Sequence, residues 1–366
     1  MFKVNHAILH VFDFVSCINV FSQDELDLAD KNVKKYVTSV AKHALGGIDN
    51  KRGEFAPDSG FKGELVSYLN GTCDFVDLSI QIAEFLSSEL SRMEHPVSCD
   101  LLVVDFEDSP KAPRVSPEDI ADMSEEEAAA AQAALEAAYS GRAAHYFGLL
   151  LLESKPAFMH EVGRAEDGAT VNSIERHHAI LPSPSQKIAS FALIDARTFA
   201  VQFVDKEREI AGERRWLIPD GLLQCSMEAS SKELIDTTMR LVEEVAQEYG
   251  ANPAVATARA KAYVSENAED SDEVPFDELC DEVFEDEAPR RRLAEAFADE
   301  DLPERAPVER EVAKRVTKNH KIRTDTGIEI TFPAEYAQNP EFIEFTSAAN
   351  GLIQIELKNI GSIENR

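Results

Sequence analysis

The chain has 366 residues and 44% hydrophobic content, enough for a sizeable core and two or three domains. Its formal net charge of −31 opposes nonspecific coating of DNA and leaves two readings, solubility in an acidic or salt-adapted cytosol or a basic partner. No apolar stretch approaches the roughly 20 residues of a membrane span, Met1 to Phe14 lacks a basic, long apolar leader, and the five scattered cysteines (Cys17, Cys73, Cys99, Cys225, Cys280) argue against a disulfide framework or zinc knuckle.

Asn5 to Phe21, rich in Val, Ile and Phe, predicts one or two strands. A helix follows over about Asp30 to Ala44, where Val33, Tyr36, Val37, Val40, Ala41 and Ala44 recur at three- and four-residue steps. Lys31, Lys34, Lys35 and Lys42 fall on its other faces, and Gly46-Gly47 is its stop. Residues 48–72 read as a loop with a short helix near Phe61 to Leu69, and a second helix spans about Phe75 to Met93. Asp100 to Phe106 and His145 to Glu153 are sheet strands. The insertion between them, Glu107 to Arg142, holds an acidic, alanine-rich surface helix over Met123 to Tyr139. Strand-like pieces resume at Thr170 to Ser173, His178 to Leu181, Ile188 to Asp195 and Ala200 to Val204.

Composition changes after Trp216. Ser231 to Tyr249 is an amphipathic helix and Pro253 to Asn267 another. Glu266 to Glu311 holds 19 acids and five arginines, yet Val274, Phe276, Leu279, Val283, Phe284, Leu293, Ala294 and Phe297 recur at helical steps, which predicts a solvated helical hairpin. Ile328 to Phe332, Phe342 to Thr346 and Leu352 to Leu357 then predict a three-stranded β-element. So small a sheet is marginal alone, so its edge is expected to pair with the main domain or with a second copy, giving a homodimer. The fold class is therefore α+β: a mostly antiparallel sheet flanked by helices in residues 1–215, an acidic helical region in 216–313 and a C-terminal β-element in 314–366.

Chemical motifs are sparse. There is no GxxxxGK[ST], no GxGxxG after a strand and no GxSxG elbow. His177 and His178 are adjacent, so on a strand they point to opposite faces and do not chelate together; His6 and His10 share one face and read as ordinary sheet histidines. No catalytic residue, metal ligand or cofactor is expected. The densest basic cluster is Lys314, Arg315, Lys318, Lys321 and Arg323, a candidate DNA-binding island; the competing reading pairs it with the acidic hairpin before it. Arg290-Arg291-Arg292 is flanked by neutralising acids. Asp281, Glu282, Glu285, Asp286 and Glu287 are the candidate partner-binding carboxylates.

Three stretches carry a family likeness: the opening Val4-Asn5-His6-Ala7-Ile8-Leu9-His10, the centre from Tyr146-Phe147-Gly148-Leu149-Leu150 to Ile194-Asp195, and the ending Thr324-Asp325-Thr326-Gly327-Ile328-Glu329-Ile330, Ile343-Glu344-Phe345 and Asn350-Gly351-Leu352-Ile353-Gln354-Ile355 with the tail Leu357-Lys358-Asn359-Ile360. In layout they resemble the nucleoid-associated bacterial protein family over nearly the full chain. The resemblance implies a cytoplasmic, nucleoid-located, non-catalytic protein with contacts to DNA, direct or indirect, and to type II topoisomerases. The insertion at Glu107 to Arg142 and a shortened segment around Ile210 to Gly221 depart from the family's pattern. The alternative function is an acidic DNA mimic or topoisomerase-directed module, in which the carboxylates of Glu266 to Glu311 stand in for phosphates. A third reading is an enzyme with an unrecognised site.

Overall fold

The structure, a computed structural model, describes residues 2–109, 143–164, 170–271, 273–334, 336, 339–347 and 353–362. The chain divides into two units, Met1–Glu228 and Ala229–Arg366. In the first, the elements are β1 (Phe2–Asp13), β2 (Ile18–Val20), α1 (Lys31–Leu45), β3 (Lys51–Gly53), α2 (Gly60–Leu69), α3 (Phe75–Ser91), β4 (Cys99–Asp108), β5 (Ala144–Glu153), β6 (Lys155–Arg164), β7 (Thr170–Ile180), β8 (Ser190–Asp195), β9 (Val201–Val204), β10 (Glu207–Ile210) and β11 (Glu213–Trp216), closed by a π-helical turn over Leu217–Leu223.

Seven of these strands form an antiparallel sheet in the order β2-β1-β4-β5-β8-β9-β3. Side chains alternate between its faces. Leu101, Val103, Phe147, Leu149 and Leu151 pack with Leu65 of α2, Ile82 and Leu86 of α3 and Ile218 of the turn. Leu102, Val104, Phe106, Leu150 and Leu152 pack with Val37, Val40, Ala41 and Ala44 of α1. Because both faces are covered, β4 and β5 are apolar at successive positions, the pattern of a fully buried strand. Gly148 is required where it stands: a Cβ there would lie 3.0 Å from both the Leu193 and Val104 side chains. The α1 helix begins where the Asp30 carboxylate accepts the backbone N–H groups of Asn32 and Val33. Its lysines at positions 31, 34, 35 and 42 are exposed.

Three features differ from the sequence reading. The loop expected over 48–72 contributes β3, which pairs with β9 at the sheet edge. The two pieces expected within 170–181 are one strand, β7, and it pairs with β6, which was not foreseen; among the described residues these two strands pair only with each other. A further hairpin, β10–β11, turns through Ala211 (φ 54°) and Gly212 (φ 84°), the positive-φ pair of a primed two-residue turn. The helix expected over 123–139 lies outside the described residues, as does the insertion from residue 110 onward.

The second unit contains α4 (Ser231–Glu248), α5 (Pro253–Asp270), β12 (Glu273–Pro275), α6 (Phe276–Val283), α7 (Glu287–Asp299), β13 (Arg305–Pro307), α8 (Arg310–Thr317), β14 (Asn319–Arg323), β15 (Glu329–Pro333), β16 (Ile343–Ser347) and β17 (Ile353–Leu357). Ser230 and Glu233 form a reciprocal capping box on α4, and Asn252 with Pro253 opens α5. Of the anchors predicted in the acidic stretch, Val274, Phe276, Leu279, Val283, Phe284, Leu293 and Phe297 join Ile235, Val242 and Val245 of α4 in one core. Ala294 does not; it lies on the exposed side of α7.

At the end of the chain, four strands replace the expected three. β14 pairs with β15 and β16 with β17 as two separate two-stranded sheets, with Phe332, Ile343 and Ala258 buried together. In the second hairpin Glu344 lies directly opposite Glu356, and the Lys358 ammonium bonds Glu344 and lies 3.8 Å from Glu356.

Candidate DNA-facing and partner-facing surfaces

The basic cluster 314–323 does not form one helix face. α8 ends at Thr317, and residues 319–323 are strand β14. Lys314 and Arg315 therefore occupy the last turn of α8, where cations favour the negative end of the helix dipole. Lys321 and Arg323 lie on the exposed face of β14, whose other face carries the buried His320. Two of the five cations have carboxylate partners at short range: Lys314 with Glu269 at 3.2 Å and Lys321 with Glu329 at 2.7 Å. Arg315 is exposed and engaged in an interaction of its own. Lys318 and Arg323 are exposed and have no ion-pair partner among the described residues. Lys314 thus pairs with the acidic stretch before the cluster, whereas Lys321 pairs within its own β-hairpin.

Behind this strand lies a cleft of ≈ 820 Å³, lined among others by Arg240, Lys261, His320, Lys321 and Arg323. The Lys261 ammonium donates to the Asn319 carbonyl at 2.9 Å, and burial lowers its pKa against the opposing pull of Asp236. His320 is 5% exposed, and neither ring nitrogen has a hydrogen-bond partner among the described residues. Burial, helped by Lys261, pulls its pKa down to about 4, so the ring is neutral at physiological pH.

The five candidate carboxylates are all exposed. Asp281 and Glu282 end α6, Glu285 and Asp286 make the connection and Glu287 opens α7. Arginines shadow two of them: Arg290 sits 3.2 Å from Asp281 and Arg259 3.7 Å from Glu285. Arg291 is likewise paired with Glu295, a flanking acid of that triplet, whereas Arg292 pairs with Glu248 of α4, which is remote in sequence.

In the first unit the sequence reading missed a buried polar network, because its members are far apart in the chain. The Asp105 carboxylate, 2% exposed, accepts from Asn5 Nδ2 at 2.9 Å, the Tyr68 hydroxyl at 2.9 Å and His145 Nε2 at 2.8 Å. Burial pushes its pKa up, and the hydrogen bonds from His145 and Asn5 outweigh that, leaving it below the usual carboxylate value. His145 is raised in turn, first by its hydrogen bond to Asp105. Tyr68 is raised by burial and by Asp105, so it stays a phenol donor. His6 and His10 do share a face of β1. His6 Nδ1 meets Glu25 at 3.0 Å, a carboxylate the sequence reading did not place there. His10 is wholly buried, with Nδ1 accepting from the Ser22 N–H and Nε2 bonded to Ser79, whose hydroxyl donates to the Val76 carbonyl. Those roles fix a neutral, Nε2-protonated ring, and burial pulls its pKa to about 4. A second missed pair is Arg208 with Asp205, both buried and 2.6 Å apart, which ties β10 to the π-helical turn through the Ile218 N–H.

The five cysteines are free thiols, and burial pushes Cys99 and Cys225 up to about 12. No group of three or more metal-ligating side chains occurs among the described residues. No described helix is long and apolar enough to cross a membrane.

The family model described as nucleoid-associated protein YejK matches residues 8–360. The chain belongs to that family, and with it comes a nucleoid-associated role. No curated protein matches the chain.

Proposed function

From that family membership, we propose that the chain acts in the bacterial cytoplasm as a non-catalytic protein contacting nucleoid DNA, directly or through a DNA-bound partner. The observation that carries the direct reading is the basic island at the end of α8 and along β14. Lys318 and Arg323 are exposed, without carboxylate partners among the described residues, on a chain whose net charge is −31. Phosphates can neutralise such cations without first breaking an ion pair. Lys314, Arg315 and Lys321 add to the island once phosphate competes for them. Each phosphate contact contributes roughly −0.9 to the slope of log affinity against log salt, so the slope is at least about −2 in magnitude and steeper with every further cation engaged. Charge reversal of Lys314, Arg315 and Lys318 to Glu is expected to abolish this share of duplex binding and to leave the fold intact, with a melting temperature lowered by the loss of the Lys314–Glu269 pair and of cations at the end of α8. A wild-type protein that binds no duplex at about 50 mM salt, where such contacts are strongest, overturns the direct reading.

A second reading is favoured by the exposed edge formed by Asp281, Glu282, Glu285, Asp286 and Glu287. It presents carboxylates to a basic protein surface, such as that of a type II topoisomerase, in place of phosphates. Neutralising these five to Asn and Gln is expected to weaken binding to the purified enzyme in a salt-sensitive manner. Affinity indifferent to both salt and these substitutions overturns the mimic. Self-association as a homodimer belongs to the same proposal and is read by sedimentation at concentrations on the order of tens of micromolar.

A further inference from the structure

The β6–β7 ribbon has a chemical division that its sequence hides. In an antiparallel pair, directly opposed residues share a face. The register opposes Phe158 to Arg176, His160 to Ile174, Val162 to Asn172 and Arg164 to Thr170, which puts these eight residues on one side. The other side takes Met159 with Glu175, Glu161 with Ser173 and Gly163 with Val171. Both carboxylates of these pairs fall on the second side. The first therefore combines three apolar side chains with two arginines and carries no acid, on a chain where acids outnumber Lys and Arg 68 to 37.

That side faces solvent. Phe158 is 74% exposed, Val162 64% and Ile174 78%. The Arg176 guanidinium lies 6.0 Å from the centre of the Phe158 ring, and neither Arg164 nor Arg176 has an ion-pair partner among the described residues. This contrasts with Arg240, Arg259, Arg290, Arg291 and Arg292, each held by a carboxylate. An exposed apolar stripe flanked by cations that have no ion-pair partner among the described residues marks an interaction surface, and its charge selects an anionic partner.

We propose that this face of the β6–β7 ribbon lies in the major groove of duplex DNA. The proposal rests on the DNA-contacting reading above and names a second place where that contact is made. A two-stranded β-ribbon fits the major groove, which is about 12 Å wide. Arg176 and Arg164 lie at opposite ends of the face and on opposite strands, about 20 Å apart at roughly 3.3 Å per residue, so they reach phosphates on the two walls of the groove. Val162 and Ile174 between them meet the apolar floor that thymine methyl groups provide, and Asn172 offers an amide to base edges. The connection at 165–169 contributes Glu166 and Asp167 by sequence, so contact is made by the face of the ribbon and not by its end.

Two variants of the full-length chain test this, with duplex titrations over a range of salt. Arg164→Glu combined with Arg176→Glu is expected to weaken binding at least about tenfold near 0.1 M salt and to flatten the salt slope by about 1.8. Phe158→Ser with Val162→Ser and Ile174→Ser is expected to weaken binding and leave the slope as it was. Both keep the wild-type melting temperature, since the altered side chains lie in solvent. In a Phe158→Trp variant, indole emission is expected to be quenched by duplex and restored by a major-groove ligand. Unchanged affinity in both combined variants, with binding still lost on charge reversal of Lys314, Arg315 and Lys318, overturns the ribbon contact and leaves the DNA reading standing. No duplex binding by the wild-type chain at about 50 mM salt overturns both. An apolar triple variant that turns a dimer into a monomer while binding DNA as before assigns the face to a second copy of the chain and overturns the groove. Displacement by a minor-groove ligand alone does the same.

Discussion

The β4–β5 and β6–β7 pairs are built from strands of nearly the same length with the same antiparallel pairing, and they are opposite in what covers them. β4 and β5 lie in mid-sheet with helices on both faces, and most of their side chains are buried. Among the described residues β6 and β7 pair with nothing else, and Phe158, Val162 and Ile174 stand in water. Hydrogen bonding between strands is therefore not what separates a structural pair from an interacting one. The difference lies in the side chains, because burial supplies most of the stabilising free energy and an exposed ribbon receives almost none of it.

The contrast is broken most directly by truncating one residue of each pair. Leu149→Ala in β5 removes a fully buried side chain and is expected to cost about 2–5 kcal/mol. Ile174→Ala in β7 should shift stability by no more than about 0.5 kcal/mol. Urea unfolding of the two variants measures both, and equal losses would show that the ribbon is packed in solution.

Acid titration probes the polar groups that only the sheet encloses. His10 is neutral in the fold with a pKa of about 4 against 6.5 for a free imidazole. The unfolded chain protonates first as pH falls, so His10's contribution is complete above pH 6.5 and is lost progressively down to about 4. At about 1.36 kcal/mol per unit the loss is about 3 kcal/mol. A His10→Leu variant, less stable at neutral pH because Ser22 N–H and Ser79 lose a partner, is expected to show a shallower decline over that window.

The Asp105–His145 pair contributes with a different pH profile. The lowered Asp105 stabilises fully above its unfolded value near 3.8, and that share is lost as pH falls through its folded value. The raised His145 stabilises fully below its unfolded value of 6.5, and that share is lost as pH rises through its folded value. Asp105→Ala strands three buried or half-buried donors and should cost about 2–3 kcal/mol, with the largest deficit between these two limits. A deficit flat from pH 3 to 8 in unfolding titrations would show that no charge is shared.

Glycines give the smallest test. Gly148→Ala presses a methyl to 3.0 Å from Leu193 and Val104 and is expected to cost about 1–3 kcal/mol. Gly163→Ala in β6 meets only Val171, at 3.7 Å, and should be neutral or slightly stabilising by thermal melting.

Legibility in the sequence follows the same division. Helices α1, α3 and α4 announce themselves because one face is buried and their apolar residues keep helical spacing. β4 and β5 are legible as continuous apolar runs. β6 was missed because neither of its faces is a core face: Phe158, His160 and Val162 alternate with Met159 and Glu161, and no stripe dominates. β14 was not foreseen because a run of cations carries no period, and only the burial of His320 opposite Lys321 reveals the strand. The basic and acidic clusters were visible as composition. Their division into paired cations such as Lys314 and unpaired ones such as Lys318 was not, since it depends on Glu269, 45 positions from Lys314 in sequence, being brought alongside by the packing of α5 and α8. Likewise Asn5, Tyr68, Asp105 and His145 come from four elements, and nothing local in the chain joins them.

The Glu344–Glu356 pair has a consequence for local opening. Two like charges face each other across β16 and β17, which by itself drives the strands apart, and one ammonium, that of Lys358, reconciles them. The hairpin thus behaves as a latch with a single pin. Acetylation of that lysine, or its replacement by Gln, leaves the repulsion uncompensated. The amides of these two strands should then exchange with solvent deuterium faster, while those in α4 and α5 keep their protection.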